Sequence, residues 1–247
     1  MFDTGGMRTG SARNLAVASF ETAGRADSAH RRAQLQVIAD RVAPTAIAQE
    51  QTLPVLPVLA RLFPDAALRR GTVVEVSGRG ATSLALAVAA GPSSVGSWVA
   101  VVGNVDLGLQ AVAELGVSLE RLLVIRSESS GWGSTVAALI GAVDVVVTTA
   151  DHRIPAGDAR RVSARLRERG SVLIHLAAQS EHGRWPGGAD VQLQVAADQW
   201  IGLGWGHGVL TARPTTVHGA GRGAAARPRS VDLYLPGPSG SATPASP

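Results

Sequence analysis

Between residues 73 and 177 the chain repeats one pattern: a short, almost unbroken apolar run, a stretch with helical periodicity, then a turn residue. Val73, Val74 and Val76 open the series, and Trp98–Gly103, Arg121–Arg126, Val143–Thr148 and Ser171–Ala177 continue it. Apolar runs this short, without polar alternation, predict strands covered on both faces. The stretches between them predict helices from about Thr82, over Leu107–Leu115 with Gly116 as the stop, over Thr135–Gly141, and over Gly157–Arg169 with Gly170 as the stop. Alternation of this kind defines an α/β fold with a mainly parallel central sheet and helices on both faces.

After Ala178 the period changes. Asp190–Ala196 alternates apolar and polar residues, as do parts of Gly208–His218 and Val231–Leu235, with no helix between them. These predict antiparallel strands added at the C-terminal edge of the sheet. Upstream, Leu35, Ile38 and Val42 make one narrow apolar stripe on a polar helix running from Asp27 or Ser28 to Ala43, which Pro44 stops. Such a stripe docks either on the chain's own core or on a neighbouring protein. The expected organisation is a disordered segment over residues 1–26, the helix and a linker over 27–52, a core domain over 53–236, and a tail over 237–247 that is disordered by its Pro, Ser and Gly content.

Composition narrows the class. With 247 residues, 45% hydrophobic and 17% charged, the chain can bury one substantial core. There is no Cys, which excludes disulfides and thiolate metal sites and fits a reducing cytoplasm. No apolar run approaches the roughly 18–20 residues of a membrane span, and the first residues lack a signal-peptide core. The net charge of +4 comes from a chain whose 23 basic residues are all Arg, and only nine aromatic residues, 5 Trp, 1 Tyr and 3 Phe, accompany it. That is a poor supply of stacking platforms for single-stranded nucleic acid.

The strand, glycine turn and helix at 72–90 have the layout of a phosphate-binding loop, in which backbone amides and a helix N-terminus form an anion trap. The working loop needs four residues between its glycines and a following Lys. Here Ser77-Gly78-Arg79-Gly80 has one residue between glycines, and Ala81 stands where Lys would be, followed by Thr82 and Ser83, either of which is placed to cap the helix. Three missing residues remove about 10 Å of contour, too much for the turn to wrap a phosphate.

In the order of its motifs the chain resembles the RecA-like ATPases over roughly Leu53 to Pro236. RGTVVEVSG resembles the approach to that family's nucleotide loop, GNVDLGLQAVAELGVSLERLLV its next strand and helix, AVDVVVTT its Walker B strand, and ADVQLQV, GVLTARPTTV and RPRSVDLYL its closing strands. The resemblance places Asn104 where the family has a catalytic Glu, Thr149 where Walker B ends in Asp, with Asp151 two residues late, and Leu176 and Ala177 where it has a polar sensor pair, with Gln179 just beyond. These departures together imply no catalytic residue, no metal, and no cofactor at Ser77–Ser83.

Within this superfamily the Ser-Gly-Arg-Gly turn, the Trp200–Gly208 segment and Gly221–Arg229 most resemble the actinobacterial ImuA-type (ImuA-prime) mutasome accessory family, with the cell-division inhibitor SulA as a distant relative. The resemblance implies a cytoplasmic, non-catalytic adaptor, associated with the nucleoid through its partners, in SOS-induced mutagenic translesion synthesis. It would bridge an inactive Y-family polymerase homologue and an error-prone C-family polymerase. The alternatives are a divergent DNA-dependent ATPase using Arg79 and Asp151, a DNA-binding RecA paralogue, and a SulA-like division inhibitor.

Partner-binding candidates are Trp200 and Trp205 in a Gly-rich connection, the stripe Leu35, Ile38 and Val42, and Arg222, Arg227 and Arg229 in a basic hairpin loop. For each the competing role is structural: a cover on the sheet edge, a core-facing stripe, or a solvated loop. Weak DNA contact is expected at most from Arg153 and Arg184. His152, His175, His182 and His207 lack metal-ligand spacing, and His175 is expected as a hydrogen-bonded core residue. Ser127, His152 and Asp151 make a triad on paper only, because no nucleophile elbow supports it.

Overall fold

A computed structural model describes residues 51–103, 106–128, 130–149, 153–177, 183–197 and 200–245. The expected disordered segment at 1–26, the helix at 27–43 with Leu35, Ile38 and Val42, and Asn104, Asp151, His152, Gln179 and His182 lie outside them.

The chain enters through a two-stranded antiparallel ribbon, β1 (Thr52–Pro54) with β2 (Ala67–Arg69), joined by a 3-10 turn over Pro57–Leu62 that buries Leu59 and Leu62. Next come β3 (Val73–Gly78), α1 (Ala81–Ser94), β4 (Val99–Val102), α2 (Leu109–Glu114), β5 (Leu122–Ile125) and α3 (Trp132–Leu139). They are followed by β6 (Val145–Thr149), α4 (Ala156–Arg169), β7 (Val172–Leu176), β8 (Val191–Ala197), β9 (Ile201–Leu203), β10 (Gly208–Ala212), β11 (Pro214–Gly221), β12 (Arg229–Tyr234) and β13 (Thr243–Pro244). One nine-stranded sheet runs in the order β13-β12-β11-β8-β3-β7-β6-β4-β5. Its six strands from β8 to β5 are parallel, and β11, β12 and β13 close it antiparallel.

Period-two alternation along each strand sorts the apolar residues onto two faces. Val74, Val76, Val99, Val101, Val145, Val147 and Ile174 face α1, whose residues from Leu84 to Ser93 are all buried. That complete burial is why α1 is an Ala/Leu helix with no polar face. On the other side Val73, Ala100, Val102, Val146 and Leu173 face α3 and α4. Helix α4 buries Ala159, Val162 and Leu166 at i, i+3 and i+7 and turns its arginines to water. No described helix is long and apolar enough to cross a membrane.

Four expectations are corrected. Arg121–Arg126 reads like an interior strand, yet β5 is the sheet's edge and leaves Leu123 and Val124 exposed. The segment 208–212 does not join the main sheet but pairs with β9 in a separate hairpin, so only 214–221 joins β8. The tail is ordered as far as Ala245: Gly237 N–H bonds Ser241 O at 2.7 Å, and Thr243 and Pro244 pair with Tyr234 and Leu233. Its composition gives little local preference, but β12 offers an unpaired edge and the apolar core cluster takes Ala242. Finally, neither Thr82 nor Ser83 caps α1, because Gly80 occupies the cap position itself.

Candidate functional site

Strand β3 runs two residues further than the turn pattern suggests, because β8 pairs with it as far as Gly78 opposite Val195. Gly78 has φ 98°, and a β-carbon there would collide with the Val195 carbonyl oxygen. Only Arg79 and Gly80 then separate strand from helix. Arg79 is exposed, and Ser77 is half-buried. Gly80, at φ 101°, has its open side filled by another part of the chain: a β-carbon on it would lie 2.5 Å from Nη2 of Arg213. The cradle is thus short, closed at Gly78 by backbone and occupied at Gly80 by a guanidinium.

Arg213 sits between β10 and β11, fixed by backbone bonds from its N–H to Pro236 O and from Leu235 N–H to its own carbonyl, each 2.9 Å. The residue is 9% exposed; Nε donates to Leu235 O at 3.0 Å, and Nη2 is buried without a partner. Trp200 stacks on the guanidinium, with 5.3 Å from Cζ to the ring centroid. Burial lowers the pKa of Arg213 from its ordinary value. At the first turn of α1 no side chain caps the helix, and the first intrahelical bond is Leu84 N–H to Gly80 O at 3.1 Å. The amides of Ala81, Thr82 and Ser83 therefore have no helical carbonyl to bond.

Trp200 leads into the β9–β10 hairpin. Trp205 at its tip is 101% exposed, and Ile201, Leu203, Val209 and Leu210 are exposed as well. The competing expectation that these residues cover the sheet edge holds for neither Trp205 nor the strands, which form their own ribbon.

A second group lies on the face of α3 and α4. Glu75, His175 and Thr148 are consecutive in register across β3, β7 and β6, and all are buried. Each residue of the row has a partner above it: Trp185 N–H donates to Glu75 Oε2 at 2.6 Å, His175 Nε2 donates to Gly183 O at 2.8 Å, and Trp132 Nε1 donates to Thr148 Oγ1 at 2.7 Å, while His175 Nδ1 is buried without one. Trp185 packs against both the His175 ring, at 5.5 Å, and Trp132, at 6.4 Å. The row therefore pins the segment carrying Arg184 to the sheet. His175 is the hydrogen-bonded core residue that its strand position suggests. Beside the row, Arg153, Ile154, Arg184 and Trp185 line a cleft of about 490 Å³.

Burial pushes the His175 pKa below 6.5, opposed by the bond to Gly183 and by the charge of Glu75. Because the folded state then binds fewer protons than the unfolded chain, the stability held above about pH 6.5 is lost as pH falls below it. Urea midpoints measured between about pH 7.5 and pH 5 should drop with acid, and His175→Gln should flatten that slope. An unchanged slope in the variant would assign the acid sensitivity elsewhere.

The remaining candidates are dispersed. Arg222 and Arg227 lie on the β11–β12 loop and Arg229 opens β12, at the end of the sheet opposite Gly78, since Gly221 pairs with Val191 at the start of β8. Arg222 lies over Gly188, and Arg229 is spent on the loop carbonyls of Arg227 and Ala224, at 3.2 and 3.3 Å. Thr149 ends β6, and Leu176 and Ala177 are both buried at the end of β7. Ser127 bonds Thr135 at 3.4 Å. Among the described residues no three His, Asp or Glu side chains are grouped to hold a metal. Arg213, Glu75, Trp132 and Trp185 were not singled out from the sequence. The available signals were a Glu inside an apolar strand and an Arg interrupting two strands directly before a Pro.

The fold and site define an α/β protein with a large mixed sheet, a two-residue glycine turn after its central strand, and a projecting apolar hairpin. Residues 61–187 match the family model described as the MT3502 N-terminal domain, and the chain belongs to that family. It is also 38% identical over 105 residues to the uncharacterized protein Rv3395c of Mycobacterium tuberculosis (strain ATCC 25618 / H37Rv), covering 42% of this chain and 50% of that protein. The chain thus spans about half the length of the curated relative it matches.

Proposed function

We propose that this protein is a non-catalytic RecA-like adaptor of the ImuA type, acting in the cytoplasm in SOS-induced mutagenic translesion synthesis. In this reading it joins an inactive Y-family polymerase homologue to an error-prone C-family polymerase, with at most weak DNA contact through Arg153 and Arg184. The observation that carries it is the cradle after β3. A strand, glycine turn and helix are present in the order of a nucleotide site, while Val195 O and the Arg213 guanidinium stand against Gly78 and Gly80, where phosphates would need room. The parallel strands followed by antiparallel closing strands agree with the RecA-like resemblance, and the mycobacterial relative agrees with its actinobacterial branch.

A nucleotide that binds the folded state stabilises it by about 2.7 kcal/mol at 100-fold excess over Kd. Millimolar ATP with magnesium is expected to leave the melting temperature unchanged, while the Y-family homologue from the same genome co-elutes with the purified chain. A saturable ATP-dependent shift abolished by Thr82→Ala and Ser83→Ala would replace the adaptor with the divergent ATPase.

A further inference from the structure

We propose that the β9–β10 hairpin and the Arg213 seat at its foot form one docking surface for an apolar protein segment bearing a carboxylate. The carboxylate is received at the Arg213 guanidinium, beside the N-terminus of α1. This deepens the adaptor reading and rests on it, since it names the chemistry of the segment an adaptor would hold.

The case begins with an unbalanced charge. Arg213 is nine-tenths buried, its Nη2 has no partner, and it lies against Gly80 at the start of a 14-residue helix that no side chain caps. A guanidinium and the positive end of a helix placed side by side repel one another, and an anion beside both relieves that repulsion. Leaving a buried donor unmatched is itself destabilising, and an oxyanion that accepts from it recovers the loss. The planar guanidinium fork fits a carboxylate in particular.

The hairpin supplies the rest of the specificity. From Ile201 to Ala212 it carries no Arg, Asp or Glu, and Arg213 follows it directly. Its exposed Ile201, Leu203, Trp205, Val209 and Leu210 gain from an apolar cover, which a free phosphate or acetate ion cannot provide. A nucleic acid would need several cations along its path, and the hairpin offers none. One carboxylate among apolar neighbours is the charge complement of this surface.

The test uses the full chain and two fluorescein-labelled dodecapeptides with capped ends, one alternating leucine and glutamate, the other leucine and glutamine. Fluorescence anisotropy should show the glutamate peptide binding about tenfold more tightly, a difference of about 1.4 kcal/mol. Arg213→Gln should abolish that preference, and Leu203→Ser with Trp205→Ser should weaken both peptides. The serine substitutions touch exposed side chains, so they test the surface even if Arg213→Gln fails to fold. Equal binding of the two peptides, binding of neither, or displacement by millimolar phosphate but not by acetate would overturn the proposal. Failure of the adaptor reading is seen separately, as absence of a complex between the wild-type chain and the polymerase homologue.

Discussion

Gly78→Ala is expected to cost about 3 kcal/mol, lowering the melting temperature by roughly 6–12 °C for a domain of this size. Two terms add. An L-residue at φ 98° carries a left-handed penalty of about 1–2 kcal/mol, and a β-carbon forced onto the Val195 carbonyl adds about 1–3 kcal/mol of overpacking. Gly187→Ala is the matched control. Its φ of 81° also lies in the left-handed region, but a β-carbon there meets nothing within 4 Å, so only the first penalty applies. A thermal melt in which the two variants lose equal stability would show that the contact between β3 and β8 at Gly78 does not carry the strain assigned to it.

Trp185→Ala should be at least as severe, at about 3–5 kcal/mol for removal of a buried aromatic side chain. The ring is 3% exposed, and it touches both His175 and Trp132. Its own N–H satisfies buried Glu75, and that bond depends on the backbone staying in place. Loss of the ring therefore both leaves a cavity and loosens the segment carrying Arg184. Hydrogen exchange should accelerate at residues 183–190 while the amides of β12 keep their protection, because β12 pairs with β11 and β13 and with no strand of the row. Uniform acceleration across the whole sheet would mean that Trp185 supports global stability and does not act as a local pin.

The interior strands were legible because burial on both faces selects short, nearly continuous apolar runs. Val73–Val76, Val99–Val102, Val145–Val147 and Val172–Leu176 could satisfy nothing but a covered sheet. Strand β5 shows the limit of that inference. Leu122–Ile125 has the composition of an interior strand, and its place at the edge depends on which strand pairs with which, a long-range fact absent from local sequence. The same limit applies to the tail, whose strand exists because β12 has an edge to offer, and to the hairpin at 201–212.

The glycine turn itself could be read from Gly78 and Gly80. Its occupant could not, because Arg213 lies more than 130 positions further along and comes back only through the antiparallel closure of β11 against β8. The row of Glu75, His175 and Thr148 was hidden for a related reason. Each residue looks isolated in its own strand, and only the parallel register sets the three side by side.

The two margins of the main sheet differ in what they permit. At one, β13 is two residues long and ends in Pro244, which has no N–H to donate, so a further strand arriving there finds almost no ladder to extend. At the other, β5 has no strand on its outer side among the described residues and leaves two aliphatic side chains exposed, bracketed by Arg121 and Arg126. The arginine at each end of β5 sets like charge against like charge when an identical copy approaches, which is how an open sheet margin is kept from pairing with itself.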